Sequence, residues 1–117
     1  MDFTIYHNPR CGKSRQALQL LRDGGIEPRI VEYLKQPPTT AELDGLCRQL
    51  GVAPQALVRF KEQMAHVLGL APGDARTRAQ WLALICTHPI LLERPIVVAG
   101  GRARLGRPPE AVRELLP

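Results

Sequence analysis

Positions 2 to 25 read DFTIYHNPRCGKSRQALQLLRDGG, and the hydrophobic period changes in mid-course. DFTIY alternates apolar and polar residues as a strand does, while KSRQALQLLRDGG carries its apolar residues at helical spacing. A strand must therefore pass into a helix through HNPRCG, and that order restricts the chain to folds in which strands and helices alternate around one sheet. Cys11 sits in this turn, two residues after a proline and directly before Gly12, with Arg10, Lys13 and Arg15 around it. The first N–H groups of a helix have no partner within the helix. Together with Arg10, Lys13 and His7 they favour a thiolate over a thiol, and they place the pKa expected for Cys11 below the ~8.5 of a free cysteine.

The remaining pattern supplies the rest of the architecture. Strands are expected near 28 to 33, 95 to 99 and 102 to 105, several helices between 39 and 89, and a final helix from 108. In TTAELDGLCRQLG, residues Leu43, Leu46, Cys47 and Leu50 follow the i, i+3, i+4, i+7 rule, with Thr40 as the expected N-cap and Gly51 as the stop. The AGG at 99 to 101 permits a tight hairpin turn before RARLG, and PPEAVRELL opens on proline as first helical turns often do. A chain of 117 residues, 44% of them hydrophobic, is expected to form one domain, residues 1 to 117. The expected class is α/β: a four-stranded sheet with a helical insertion at about 39 to 89, between the second and third strands.

Composition removes several classes of function. No stretch approaches the ~18 to 20 apolar residues of a membrane span, and the short apolar run at the start includes Asp2, so neither a span nor a targeting segment is expected. The three cysteines, Cys11, Cys47 and Cys86, are odd in number and widely spaced. That argues against a disulfide framework and against a metal site with paired ligands, and it fits a reducing cytoplasm. The net charge of +5 raises the question of nucleic acid, but there is no basic block. The five aromatic residues, Phe3, Tyr6, Tyr33, Phe60 and Trp81, are not interleaved with the charges either. Small anions fit this charge distribution better.

Cys47 lies on the apolar stripe of its helix and Cys86 in the apolar run WLALICTHP, so both read as small core residues. Cys11 reads as the reactive one. Position 14 is Ser14 and not a second cysteine, which excludes a self-contained dithiol motif, and Ala17 stands where a C-x5-R phosphatase loop would need arginine. A lone nucleophile remains, one that receives its electrons, or its leaving group, from elsewhere. Arg59, Arg94 and Arg107 stand beside proline or near expected helix boundaries, and the guanidinium fork binds two oxygens of an oxyanion at once.

Five stretches in register now carry a resemblance: YHNPRCGKSR at 6 to 15, YLKQPPT at 33 to 39, LVRFKE at 57 to 62, HPILLERPIVV at 88 to 98 and RLGRPPE at 104 to 110. Across essentially its whole length the chain resembles the ArsC-type, glutaredoxin-coupled arsenate reductases, a thioredoxin-like branch related to the Spx regulators, and it is most similar to the short YfgD-like proteins. The resemblance implies a thioredoxin-like fold, Cys11 as the arsenate nucleophile, and Arg59, Arg94 and Arg107 as the oxyanion-binding groups. It further implies that His7 and Ser14 tune the thiolate and that Pro95 follows a cis bond. By the same resemblance, no bound cofactor is expected, and glutathione is expected as cosubstrate with glutaredoxin as partner. Two other readings stay open. One is a Spx-like regulator that binds a protein such as RNA polymerase, which Ser14 in place of a second cysteine disfavours. The other is a glutathione-dependent thiol transferase, which would not need three arginines.

Overall fold

The computed structural model describes residues 2–117. Four strands, β1 (Phe3–His7), β2 (Arg29–Glu32), β3 (Ile96–Ala99) and β4 (Arg102–Leu105), form one mixed sheet in the order β2-β1-β3-β4. β1 and β2 are parallel, joined through helix α1 (Gly12–Asp23), as parallel neighbours require a crossover. β3 runs antiparallel to β1 and to β4, with Gly100 and Gly101, both at positive φ, turning the β3–β4 hairpin. The chain divides into two compact units, residues 2–36 with 94–117, and residues 37–93.

In the first unit, the register of the sheet sets the core. Phe3 pairs with Ala99 and Ile5 with Val97, so these four side chains share one face. α1 buries Ala17, Leu18 and Leu21 against that face, and Val112 and Leu115 complete the cluster. The last two belong to the C-terminal element, Pro109–Leu115, which is a 3-10 helix and not the α-helix that would be the ordinary outcome of PPEAVRELL. Its buried residues explain the winding. Pro109, Val112 and Leu115 recur every three positions, and three residues per turn aligns them on one stripe.

The second unit contains helices α2 (Thr40–Leu50), α3 (Gln63–Val67) and α4 (Arg78–Thr87), with short 3-10 turns at Pro54–Leu57 and Pro89–Leu91. α2 packs on α4, burying Leu43, Leu46 and Cys47 from one and Trp81, Leu82 and Ile85 from the other. Cys86 is one step off that buried stripe and is only half-buried, so its expected place in the core holds for Cys47 alone. The N-cap of α2 is Thr39 and not Thr40. Thr39 Oγ1 accepts the Glu42 N–H, and the Glu42 carboxylate accepts the Thr39 N–H, a reciprocal pair that Thr40 lacks because Leu43 stands three residues after it. Thr77 and Gln80 cap α4 in the same way. Gly51, at φ 72°, ends α2 in the left-handed conformation expected of it. No described helix is long and apolar enough to cross a membrane.

The cap assignment is testable by substitution. Thr39→Ala removes an acceptor from the first turn of α2 and is expected to lower stability by about 1 kcal/mol, whereas Thr40→Ala stays within about 0.5 kcal/mol of wild type. Urea unfolding midpoints of the two variants, at equal m-value, decide between the two threonines.

Candidate active site

The site is built on the turn between β1 and α1. The Cys11 N–H donates to the Asn8 carbonyl at 2.9 Å, closing a four-residue turn with Pro9 at its second position. Cys11 thereby becomes the N-cap of α1 in extended conformation, φ −90° and ψ 121°, and remains partly exposed. Burial by itself raises the pKa of its thiol. The Ser14 backbone N–H, the Arg94 side chain and the Lys13 backbone N–H act the other way, with the charge of Arg94 added, and the balance falls below the ordinary cysteine value. Cys47 and Cys86 differ in this respect. Burial raises both, and neither has donors enough to offset it.

Two of the three expected arginines reach this thiol. Arg107 Nη2 lies 3.9 Å from Cys11 Sγ, while Arg107 Nε donates to the Arg94 carbonyl at 2.8 Å. Arg94 is buried and precedes β3 by two residues, and Arg107 follows β4 by two residues, so the β3–β4 register holds both. The Arg94–Pro95 peptide is cis, and so is Arg107–Pro108. The Pro95 carbonyl accepts the Gly106 N–H at 2.8 Å, a second tie between the segments that carry the arginines.

Arg59 belongs to the other compact unit. There its Nη1 donates to Glu93 at 2.6 Å and its Nε to Glu62 at 3.2 Å. Burial works against the guanidinium's charge, but the two carboxylates more than offset it and raise the pKa. Its backbone is pinned as well: the Arg59 N–H donates to the Leu91 carbonyl and the Glu93 N–H to the Leu57 carbonyl, both at 2.7 Å, around an isolated bridge between Val58 and Leu92. Expected as an oxyanion group, Arg59 is thus paired with carboxylates.

His7 and Ser14 form a buried pair, with Nδ1 and Oγ 2.6 Å apart. Burial depresses the His7 pKa, Glu32 opposes this, and Arg22 and Arg15 reinforce it, so the balance favours the neutral imidazole. Ser14 Oγ also accepts the Asn8 N–H at 3.1 Å, so the hydroxyl is occupied by His7 and Asn8, and Ser14 acts on the sulfur through its backbone.

A model of the ArsC family matches residues 6–115. The chain belongs to the ArsC family. It is 47% identical to YfgD of Escherichia coli K12 over 96% of this chain and 94% of that protein. An arsenate reductase of Rhizobium meliloti (strain 1021) is 46% identical over all of this chain and 83% of its own length. The solved structure of an arsenate reductase from Vibrio cholerae superposes with a TM-score of 0.93 at 46% identity, covering 99% of this chain and 98% of that one. The fold is thioredoxin-like.

Three participants escaped the sequence reading. Asn8 was part of a quoted motif without a role, although Asn before Pro is a turn signal. Glu62 and Glu93, which hold Arg59, stand three residues after Arg59 and directly before Arg94. The first spacing is a recognisable local pair; the second partner is 34 residues away and has no local signal.

Because its folded pKa is depressed, Cys11 is expected to keep its thiolate at pH values where Cys47 and Cys86 are protonated, and to lose reactivity only as pH falls through that lowered value. Iodoacetamide labelling followed residue by residue by mass spectrometry should give Cys11 a lower midpoint than Cys47 or Cys86. Arg107→Ala should move that midpoint upward, since a cation beside the thiolate is removed.

Proposed function

We propose that this protein is an arsenate reductase that uses glutathione and glutaredoxin. The observation that carries the reading is the convergence of Arg94 and Arg107 on a helix-start thiol, in a chain 46% identical to a known arsenate reductase. Cys11 thiolate attacks arsenic(V) and displaces an oxygen as water, forming a cysteinyl-arsenate adduct. Arg94 and Arg107 offset the charge of that adduct, and their forks suit a tetrahedral oxyanion bidentately. Arg59 is the third oxyanion group of this proposal on the strength of the resemblance; its carboxylate partners hold it in one orientation. Glutathione then attacks the adduct, arsenic departs as As(III) with the two electrons of the two thiols, and a Cys11–glutathione disulfide remains. Glutaredoxin reduces that disulfide. Ser14 at the position of a second cysteine supports this scheme, because the second thiol must come from solution.

The readout is arsenate-dependent NADPH consumption in the presence of glutathione, glutathione reductase and glutaredoxin. Cys11→Ser is expected to abolish turnover with an unchanged circular dichroism spectrum, and Cys86→Ala to retain most of it. Arg107→Lys should lower kcat/KM roughly tenfold or more, because a point charge does not reproduce a fork. Turnover of a model disulfide without turnover of arsenate would replace this reading with that of a thiol transferase.

A further inference from the structure

Among the described residues, the buried polar and charged side chains are His7, Asn8, Ser14 and Arg94, and all four gather around the Cys11 turn. Burying a polar side chain is unfavourable unless its hydrogen bonds are replaced. Arg94 acts on the thiol, and His7 and Ser14 bond each other. Asn8 takes no part in the chemistry above, yet three hydrogen bonds meet on it. Its carbonyl accepts the Cys11 N–H at 2.9 Å, its side-chain Oδ1 accepts the Arg10 N–H at 3.0 Å, and its own N–H donates to Ser14 Oγ at 3.1 Å.

We propose that Asn8 is a positioning residue for the nucleophile: its side chain closes the turn that points the Cys11 sulfur at the donors of α1 and at Arg107. Three features of the geometry support this. The Oδ1 to Arg10 bond closes an Asx turn, which needs an acceptor one carbon beyond Cβ, so the extra methylene of glutamine displaces the oxygen. The same residue fixes the turn from within and from the helix side. Through its carbonyl it orients the Cys11 backbone, and through its N–H it occupies a lone pair of the serine hydroxyl bonded to His7. Finally, Pro9 lacks an N–H, so the next donor available to Asn8 Oδ1 along the chain is that of Arg10. When the Asx bond is lost, the turn widens and Cys11 leaves the point where the Ser14 and Lys13 N–H groups and the two arginines converge on it.

The test compares Asn8→Ala, Asn8→Gln and Asn8→Ser with wild type. Alanine removes the acceptor, glutamine misplaces it, and serine restores a weaker turn bond of the same topology. Alkylation of Cys11 by iodoacetamide, followed by mass spectrometry across a pH series, is independent of the arsenate reading. Asn8→Ala and Asn8→Gln are expected to label about tenfold more slowly at pH 7, the change that one unit of thiolate pKa produces above neutrality, while Asn8→Ser recovers much of the loss. The kinetic arm rests on the arsenate reading: kcat falls with KM for arsenate within about twofold in the first two variants, as expected of a misplaced nucleophile with its oxyanion groups intact. If Asn8→Ala does not fold, the contrast between glutamine and serine carries the test. Wild-type pH profiles in folded alanine or glutamine variants overturn the proposal, as does a serine variant as impaired as glutamine. A shifted alkylation profile in a protein that never reduces arsenate leaves the positioning role standing and removes the substrate.

Discussion

One guanidinium joins the two halves of the first unit's chemistry. Arg107 donates with one nitrogen to the Arg94 carbonyl and presents another to the Cys11 sulfur, so the end of β4, the approach to β3 and the start of α1 meet at a single planar group. The rigidity of that group matters more than its charge. Lysine would supply the charge, but it cannot hold a carbonyl and face a thiolate from fixed angles at once. The sheet makes the arrangement reproducible: Ile96 pairs with Leu105, which sets the Arg94 and Arg107 segments side by side two residues beyond each. A one-residue slip of β4 in that ladder would turn the buried Ala103 to the opposite face and an arginine into its place, so the burial of Ala103 guards the position of Arg107.

The site's electrostatics depend on partial charges as much as on full ones. His7 is buried, which favours its neutral form, Arg10 contributes its backbone N–H to the turn, and the thiolate is favoured chiefly by Ser14 and Lys13 backbone donors and by Arg94. Backbone donors are fixed by the helix and lose little order when they act. A thiolate held in this way is stabilised without a counter-ion that could swing away into solvent.

Local signals made much of this legible. The change of hydrophobic period around HNPRCG located β1, α1 and Cys11, and the apolar stripe of α2 located Cys47 and the stop at Gly51. Most of the errors lay within the local window, in features that helical spacing of apolar residues does not weigh. Thr39 and Thr40 are alike until Glu42 is considered, Cys86 looks buried until the stripe of α4 is rotated by one residue, and Pro109 to Leu115 looks α-helical until its three-residue burial period is seen. Arg59 shows the limit more sharply, because what sets its environment, Glu93, is brought to it by a two-residue bridge between distant segments. Ser14 meets the thiol through its backbone, while its hydroxyl turns toward the imidazole, a direction that residue type alone does not contain.

The outer strand β4 has a further consequence. It is four residues long, ends the sheet, and carries Arg102 and Arg104, the latter tied to Glu114 at 2.6 Å. An unpaired strand rim is a template on which another chain can zip, and short length with cationic side chains is a known deterrent. Recruiting a stranger's backbone here would place it against two guanidinium groups and within reach of a side chain already committed to the C-terminal 3-10 helix. The strand that brings Arg107 to the thiol is thereby also the sheet's defence against self-association into fibrous aggregates.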